Sequence, residues 1–329
     1  MVTTMYGRIA VLGATGYLGT HISQMLHAAG FPVHGHCRRP QHAAGGPPTQ
    51  ATDARHLNTV IEALAGFETV INCTNAPLRD TCKIAHNLAL WQAKSKFRHV
   101  IHISSFSVYG QDHGLLTEQT DPVPSRLHPY ALGKLMSERI LLKNVTAHGS
   151  CAVIRIGFVY GRAAPQWING ISRLLRSGRL NPSHAHVHAT CDLIHAIDVA
   201  NAIKNLLSAR RAIHGIVNLT HPERITWPVY LGKIMDRLDY VSTPSSPTWL
   251  KPTERRSSSQ VFGQYFVQAL RGPIPIHLYR TLKNCRRIGS IRQTTMMPTE
   301  FIPIEAGLDD AMHMHEWRHV VCNTAQYGS

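Results

Sequence analysis

A short apolar run, Ile9 to Leu12, is followed by three glycines and then by apolar residues at Leu18, Ile22, Leu26 and Ala29, until Gly30 closes the series. The first pattern suits a strand buried on both faces, the second a helix with one apolar side. Similar runs recur downstream: a strand from Phe31 to Cys37, a helix from about Leu57 to Ala65, a strand from Thr69 to Cys73, and a strand from His99 to Ile103 that ends in serines. Strands alternating with helices in this way predict an α/β fold built on a doubly wound parallel sheet. The C-terminal third reads differently. Residues 241–260 are rich in Ser, Pro and charge and predict an exposed connection, whereas 261–272, 277–288 and 304–317 have helical character.

The glycines carry the first chemical signal. Gly13, Gly16 and Gly19 fall where the first strand turns into the first helix. Gly13 can supply a tight turn, Gly16 a close backbone approach to a pyrophosphate, and Gly19 close packing of helix on strand. A helix N-terminus presents unpaired N–H groups and a positive dipole end to anions, so Thr15, Tyr17 and Leu18 join the glycines as candidate contacts to a dinucleotide in a Rossmann sheet. The second strand ends in Arg38 and Arg39 with no acidic residue. An Asp or Glu there would bind the ribose hydroxyls of NAD and repel a 2′-phosphate, whereas an arginine pairs with that phosphate, so NADP is expected in preference to NAD. The alternative is that both arginines are solvated loop charges beside the Gly45–Pro48 turn.

A second signal lies further on. Ser104 and Ser105 end the strand at what should be the carboxyl edge of the sheet, where ligands of such sheets bind. Tyr130 and Lys134 then follow four residues apart in PYALGKLMSERILL, a spacing that puts both on one face of a helix. A phenol with a reference pKa of about 10 is seldom ionised at neutral pH, and a neighbouring cation such as Lys134 favours the phenolate. Ser105 would share a substrate oxygen with Tyr130, which pairs a proton donor with a hydrogen-bond partner on the atom whose charge changes. A surface helical pair and a capped strand end are the bland readings of the same residues.

With the stretches GATGYLG, ISSFSVYG, LTEQTDPVPSRLHPYALGK, VIRIGFVYG, LIHAIDVANAI and IVNLT in this order over roughly the first two thirds of the chain, the sequence resembles the extended short-chain dehydrogenase/reductases of the NAD(P)-dependent epimerase/dehydratase family, most of which modify nucleotide sugars. The resemblance implies Ser105, Tyr130 and Lys134 as the catalytic triad and Gly13, Gly16 and Gly19 as the cofactor loop. It also implies Asp53 near the adenine, and the backbone of Asn75, Ala76 and Pro77 beside the nicotinamide ribose. Asp53 has the competing reading of a helix-capping or turn residue. By the same resemblance, residues 1–160 form the dinucleotide-binding domain, with 190–220 returning to it, and 161–189 with 221–329 form a smaller substrate lobe. Phe106 and Ser107 stand where the family's 4,6-dehydratases carry an Asp-Glu pair, and Ser107 also where a double-epimerising branch carries cysteine. What remains is hydride transfer at one carbon of a nucleotide-linked sugar or keto-sugar, by a 4-ketoreductase or a C4 epimerase. A reductase of a non-sugar carbonyl compound and a silent NADP-binding sensor or scaffold are the alternatives, the last opposed by the intact Ser105, Tyr130 and Lys134.

Composition adds bounds. At 329 residues with 43% hydrophobic residues, the chain can bury a large core, and no apolar run is long enough to span a membrane. The first strand begins almost at once, which leaves no room for a signal peptide, and seven scattered cysteines without a Cys-x-x-Cys suit a reducing cytoplasm. The net charge of +15 is spread along the chain, with neither a nucleic-acid-binding motif nor base-stacking aromatics beside it. Attraction of an anionic cofactor and a diphosphate-linked substrate accounts for it. Among 22 histidines, His184, His186 and His188 alternate, with Cys191 and His195 close behind. Histidines spaced by two do not define a closed tetrahedral site, so they are read as a polar wall with no metal, and His195 as a packing or hydrogen-bonding residue near the Asp198 helix start. A homodimer is compatible with all of this.

Overall fold

A computed structural model describes residues 6–40, 45–94, 98–110, 116–122, 129–145, 149–162, 164–178, 180, 190–209, 214–238 and 301–311. The stretches 241–260, 261–272 and 277–288 and the histidines His184, His186 and His188 lie outside these residues.

Strand β1 (Ile9–Leu12) is buried along its whole length, as its unbroken apolar sequence requires. Helix α1 (Tyr17–Ala28) follows, then β2 (Val33–Cys37), β3 (Thr49–Ala51), α2 (Leu57–Ala63), β4 (Thr69–Asn72), α3 (Leu78–Ala93) and β5 (His99–Ser105). A 3-10 turn, Phe106–Tyr109, leads on to α4 (Pro129–Lys143), β6 (Ser150–Ile156), β7 (Phe158–Tyr160), α5 (Ile171–Arg176), β8 (Thr190–Cys191), β9 (Leu193–His195), α6 (Ala196–Ser208) and β10 (Gly215–Leu219). The last elements are β11 (Ile225–Thr226), α7 (Trp227–Arg237) and α8 (Ile304–Ala311).

Seven strands form one parallel sheet in the order β10-β6-β5-β4-β1-β2-β3. This is the Rossmann arrangement, and the strand order reverses between β1 and β4. Side chains alternate across the sheet. Ile9, Val11, Ile101 and Ile103 pack with Ile22 and Leu26 of α1 and Val199 and Ile203 of α6, while Ala10, Leu12 and Val100 pack on the other side with Val60, Leu88 and Leu141 of α2, α3 and α4. The predicted elements are present with small changes: β2 starts two residues later than expected, α2 and β4 stop earlier, and β5 runs through both serines. Ser104 and Ser105 stay in the strand because their backbones pair with Arg155 and Ile156 of β6.

The described residues divide into two compact units. One takes those within Met1–Val159 and Asp192–Pro222 together with Phe301, and contains the sheet. The other takes those within Tyr160–Cys191, Glu223–Ile288 and Ile302–Ser329. In this second unit β8 pairs antiparallel with β11, the Tyr230 hydroxyl donates to the Trp167 carbonyl (2.8 Å), and Lys233 and Arg237 of α7 pair with Glu305 and Asp309 of α8.

Candidate active site

The turn after β1 is closed by backbone bonds: the Gly13 N–H donates to the His36 carbonyl (2.8 Å) and the Gly16 N–H to the Gly13 carbonyl (2.9 Å). Gly13 has φ +78°, and a Cβ there would lie 3.2 Å from the Cys73 backbone. A Cβ on Gly19 would lie 2.1 Å from the Gly13 carbonyl oxygen, so the tight fit expected of Gly19 is made with the turn itself. Gly16 has an ordinary φ of −78°, it caps α1 without any side-chain hydrogen bond, and Thr15 and Gly16 are exposed. No side chain caps the first turn of α1, and a helix N-terminus attracts anions. Tyr17 and Leu18 are half-buried in that turn, with the Tyr17 ring against His21 (4.9 Å).

Arg38 and Arg39 are exposed just beyond β2. Asp53 is engaged by Arg55, whose Nη2 donates to Oδ2 (2.6 Å) and whose backbone N–H donates to Oδ1 (3.1 Å). The arginine holds the carboxyl down at about 2. Asp53 therefore has the geometry of a turn residue, whatever else it contacts. Asn75 is exposed and Ala76 half-buried in the loop after β4, whose path is fixed by Asn72: its Oδ1 accepts from the Thr74 N–H (3.1 Å) and hydroxyl (2.6 Å), and its Nδ2 donates to buried His102 (3.1 Å).

Ser105, Tyr130 and Lys134 converge. The Tyr130 phenol is hydrogen-bonded to Ser105, and the Ser107 N–H donates to Ser105 Oγ (3.2 Å). Lys134 is 4% exposed; its Nζ donates to the carbonyls of Ile103 (2.8 Å) and Thr74 (3.2 Å) and lies 5.9 Å from the Tyr130 ring centre. Two carbonyls leave one of the three ammonium protons for a ligand. Burial pulls the ammonium down to about 8, with Cys73 and Glu138 acting in the opposite direction.

The expectation that Lys134 favours a phenolate needs correction. Burial pushes the Tyr130 phenol up, and Ser105, not Lys134, works in the opposite direction. At the observed separation the desolvation cost outweighs any help from the ammonium, so the phenol keeps its proton at neutral pH.

Sequence reasoning missed a buried polar group beneath this site. Glu138, one turn beyond Lys134 on α4, accepts from Arg155 Nη2 (2.7 Å) and Nε (3.2 Å) and from the Ser104 hydroxyl. The Arg155 guanidinium lies 4.7 Å from the Tyr109 ring centre, and the Tyr109 hydroxyl is 2.7 Å from Asn218 Oδ1. A signal was present, since charges in the apolar runs CAVIRIG and LMSERILL need buried partners. At Gly157, within the VIRIGFVYG stretch, a Cβ would lie 2.1 Å from the Asp192 carbonyl oxygen. His195 caps α6, its Nδ1 accepting from the Ile197 N–H (3.3 Å).

The glycine turn, the Thr74–Ala76 loop and Ser105 follow or end β1, β4 and β5 at their carboxyl ends, beside the reversal of strand order where open α/β sheets bind ligands. A model of the NAD dependent epimerase/dehydratase family matches residues 9–219. The chain belongs to that family of enzymes. No curated protein matches it. Among solved structures, this family member is similar to MoeE5 in complex with UDP-glucose and NAD, at 20% identity over 96% of this chain and 100% of that one, with a TM-score of 0.69. It is similar also to UDP-N-acetylglucosamine 4-epimerase from Bacillus cereus (20% identity, 70% and 82% covered, TM-score 0.58). The UDP-glucose 4-epimerase of Thermus thermophilus, in complex with NAD, gives 19% identity, 70% and 83% covered, and a TM-score of 0.54. At these identities the likeness is one of fold. Among the described residues no helix is long and apolar enough to cross a membrane.

Proposed function

We propose that this family member is an NAD(P)-dependent oxidoreductase or epimerase that transfers hydride at one carbon of a nucleotide-linked sugar or keto-sugar, with Ser105, Tyr130 and Lys134 as its catalytic residues. The observation that carries the reading is the convergence of these three side chains beside a glycine turn and an uncapped helix N-terminus. The residues present fit a dinucleotide. Gly13, Gly16 and Gly19 with Thr15, Tyr17 and Leu18 would hold its phosphates, Asp53 would lie near the adenine, and Asn75, Ala76 and Lys134 near the nicotinamide ribose. Arg38 favours NADP over NAD, since no acidic residue stands at the end of β2. When bound, the nicotinamide supplies or accepts the hydride.

The protein's own task is to manage the proton and the charge. Tyr130, kept neutral by burial, donates its proton to the carbonyl oxygen in the reductive direction and recovers it in the reverse. Ser105 supplies a hydroxyl to the same oxygen, and the Ser107 N–H on Ser105 Oγ fixes where that hydroxyl sits. The Lys134 ammonium adds positive charge beside the site. We assign the sheet-containing unit, residues 1–160 with 190–220, to the dinucleotide and residues 161–189 with 221–329 to the sugar nucleotide. Leu90 of α3 and Met136 of α4 are exposed large hydrophobics that a homodimer would cover. Among the described residues, Cys37, Cys73, Cys82, Cys151 and Cys191 form no disulfide, which suits a reducing cytoplasm.

The test uses UDP-glucose and UDP-galactose as probes with NADP and NAD, read by absorbance of the reduced nicotinamide and chromatography of the sugars. Tyr130→Phe should abolish turnover while dinucleotide affinity stays within a few-fold, because the lost hydroxyl moves a proton but contributes little to binding. A cofactor that survives purification points to an epimerase, and freely exchanging NADPH to a reductase. Near-normal turnover in Tyr130→Phe sinks the assignment.

A further inference from the structure

Strand register builds a polar row across the buried sheet. Ser104 of β5 lies opposite Arg155 of β6, and Arg155 lies opposite Asn218 of β10, so the three side chains share the face covered by α4. Glu138 meets this row from the helix, and both members of its pair with Arg155 have side chains only 2% exposed. A buried ion pair is a poor source of stability, because desolvation consumes most of its Coulomb gain, and an apolar pair of similar volume would serve as well. What it supplies is commitment to one geometry. A helix held on a strand by apolar contacts alone can settle one turn, about 5.4 Å, up or down. A carboxylate that must meet one guanidinium cannot.

That geometry sets the site. Ser104 and Ser105 are neighbours on β5; the first binds Glu138 and the second Tyr130, eight residues apart on α4. Lys134 stands between them, its ammonium on the Ile103 carbonyl. Three successive residues of β5 therefore grip three successive turns of α4.

Resting on the site proposed above, we infer that Glu138, through Arg155 and Ser104, is a positioning residue that locks α4 in the one register at which Tyr130 and Lys134 meet the end of β5. Its charge also matters to Lys134. The groups facing that ammonium are Tyr130 and Glu138 from α4, Cys73 after β4 and His102 of β5. Burial opposes the cation, buried His102 stays neutral, and Cys73 and then the Glu138 carboxylate favour it.

Three variants test this. Glu138→Gln keeps the shape and an acceptor for Ser104 but loses the charge, Glu138→Asp restores the charge one methylene short, and Glu138→Leu combined with Arg155→Met removes both charges so that no lone ion is buried. NADPH binding is followed by fluorescence from about pH 6 to about pH 10, with urea unfolding on the same samples; Lys134→Met and Tyr130→Phe serve as controls. In the wild type, affinity should decline above about 8 as Lys134 loses its charge. In Glu138→Gln the decline should begin at lower pH, leaving binding a few-fold weaker at alkaline pH and nearly unchanged near pH 6. Glu138→Asp should recover part of the difference, and the double variant should fold with a near-wild-type urea midpoint and, with the Arg155 cation gone as well, decline at a pH between those of Glu138→Gln and the wild type. Folded Glu138→Gln with wild-type affinity at every pH overturns the inference. So does collapse of all three variants, which would make the pair purely structural. If the wild type binds neither NADPH nor NADH, or Lys134→Met changes nothing, the site reading itself fails and takes this one with it.

Discussion

At Gly19 an added Cβ would lie 2.1 Å from the Gly13 carbonyl oxygen, a backbone atom that yields only if the turn opens. At Gly16 the same addition meets that oxygen at 3.2 Å, with a backbone angle any residue adopts. The two substitutions should therefore separate fold from ligand. Gly19→Ala is expected to destabilise the protein by about 1–3 kcal/mol, as overpacking against backbone does, and to weaken dinucleotide binding with it. Gly16→Ala should leave stability within about 0.5 kcal/mol, since it is an exposed position, yet lower NADPH affinity about ten-fold by obstructing the pyrophosphate. Urea unfolding and fluorescence titration of both variants check this. A Gly16→Ala protein that binds NADPH as the wild type does would remove the pyrophosphate from this turn.

Among the elements, the end of β2 is where the proposed preference for NADP can be tested. Its strand closes on Cys37 and releases the chain at exposed Arg38 and Arg39, with Asp53 already engaged by Arg55. A charge-assisted contact from Arg38 to a 2′-phosphate should make NADPH bind about ten-fold more tightly than NADH. Arg38→Ala should erase the gap by weakening NADPH alone, and raising the salt from about 0.05 M to about 0.5 M should narrow it in the wild type, because an exposed contact is screened. Equal wild-type affinities would make both arginines bystanders. Elements of this kind were readable from the chain where one residue pattern sufficed: β1 and α1 from the change of period at the glycines, β5 from its apolar run and terminal serines. Strand β3 was not, because three half-buried or exposed residues, Thr49–Ala51, have no alternation and pair only because β2 lies beside them. The Glu138–Arg155 pair was visible as two misplaced charges, but their meeting depends on how α4 seats on β6, which no local pattern encodes. The Tyr130 phenol differs from its expected state for a related reason: spacing shows that a lysine is near, but the burial that outweighs it comes from the packing of distant segments.

For the molecule as a whole, buried titratable groups give stability and activity opposite responses to alkali. His36 is held down at about 4, and His99 and His102 are also lowered, in each case chiefly by burial. Their folded values lie below the unfolded one of about 6.5, so the unfolded chain binds more protons as pH falls through this window and stability is lost. For His36 alone the loss approaches about 3 kcal/mol by pH 4, a large share of a typical 5–15 kcal/mol. Lys134, lowered to about 8, obeys the same sign higher up, and stability should continue to rise from pH 8 toward the unfolded lysine value of about 10.4. Cys73 and Cys151, raised to about 12 by burial, act the other way, because the unfolded thiols release protons from about 8.5 upward. The balance places the stability maximum near pH 8–9, above the usual neutral range. Turnover should already be falling there, since the Lys134 cation is being lost. Urea midpoints and initial rates measured on the same samples from pH 5 to pH 9.5 test the crossing, with His36→Asn as a control whose amide takes the place of Nδ1 toward Thr52 but cannot titrate. The control should flatten the acid limb of stability by about 1 kcal/mol per pH unit between pH 6 and pH 5 and leave the alkaline limb of the rate in place. A wild-type midpoint that is equal at pH 7.5 and pH 5 would show that the histidines charge without unfolding the sheet.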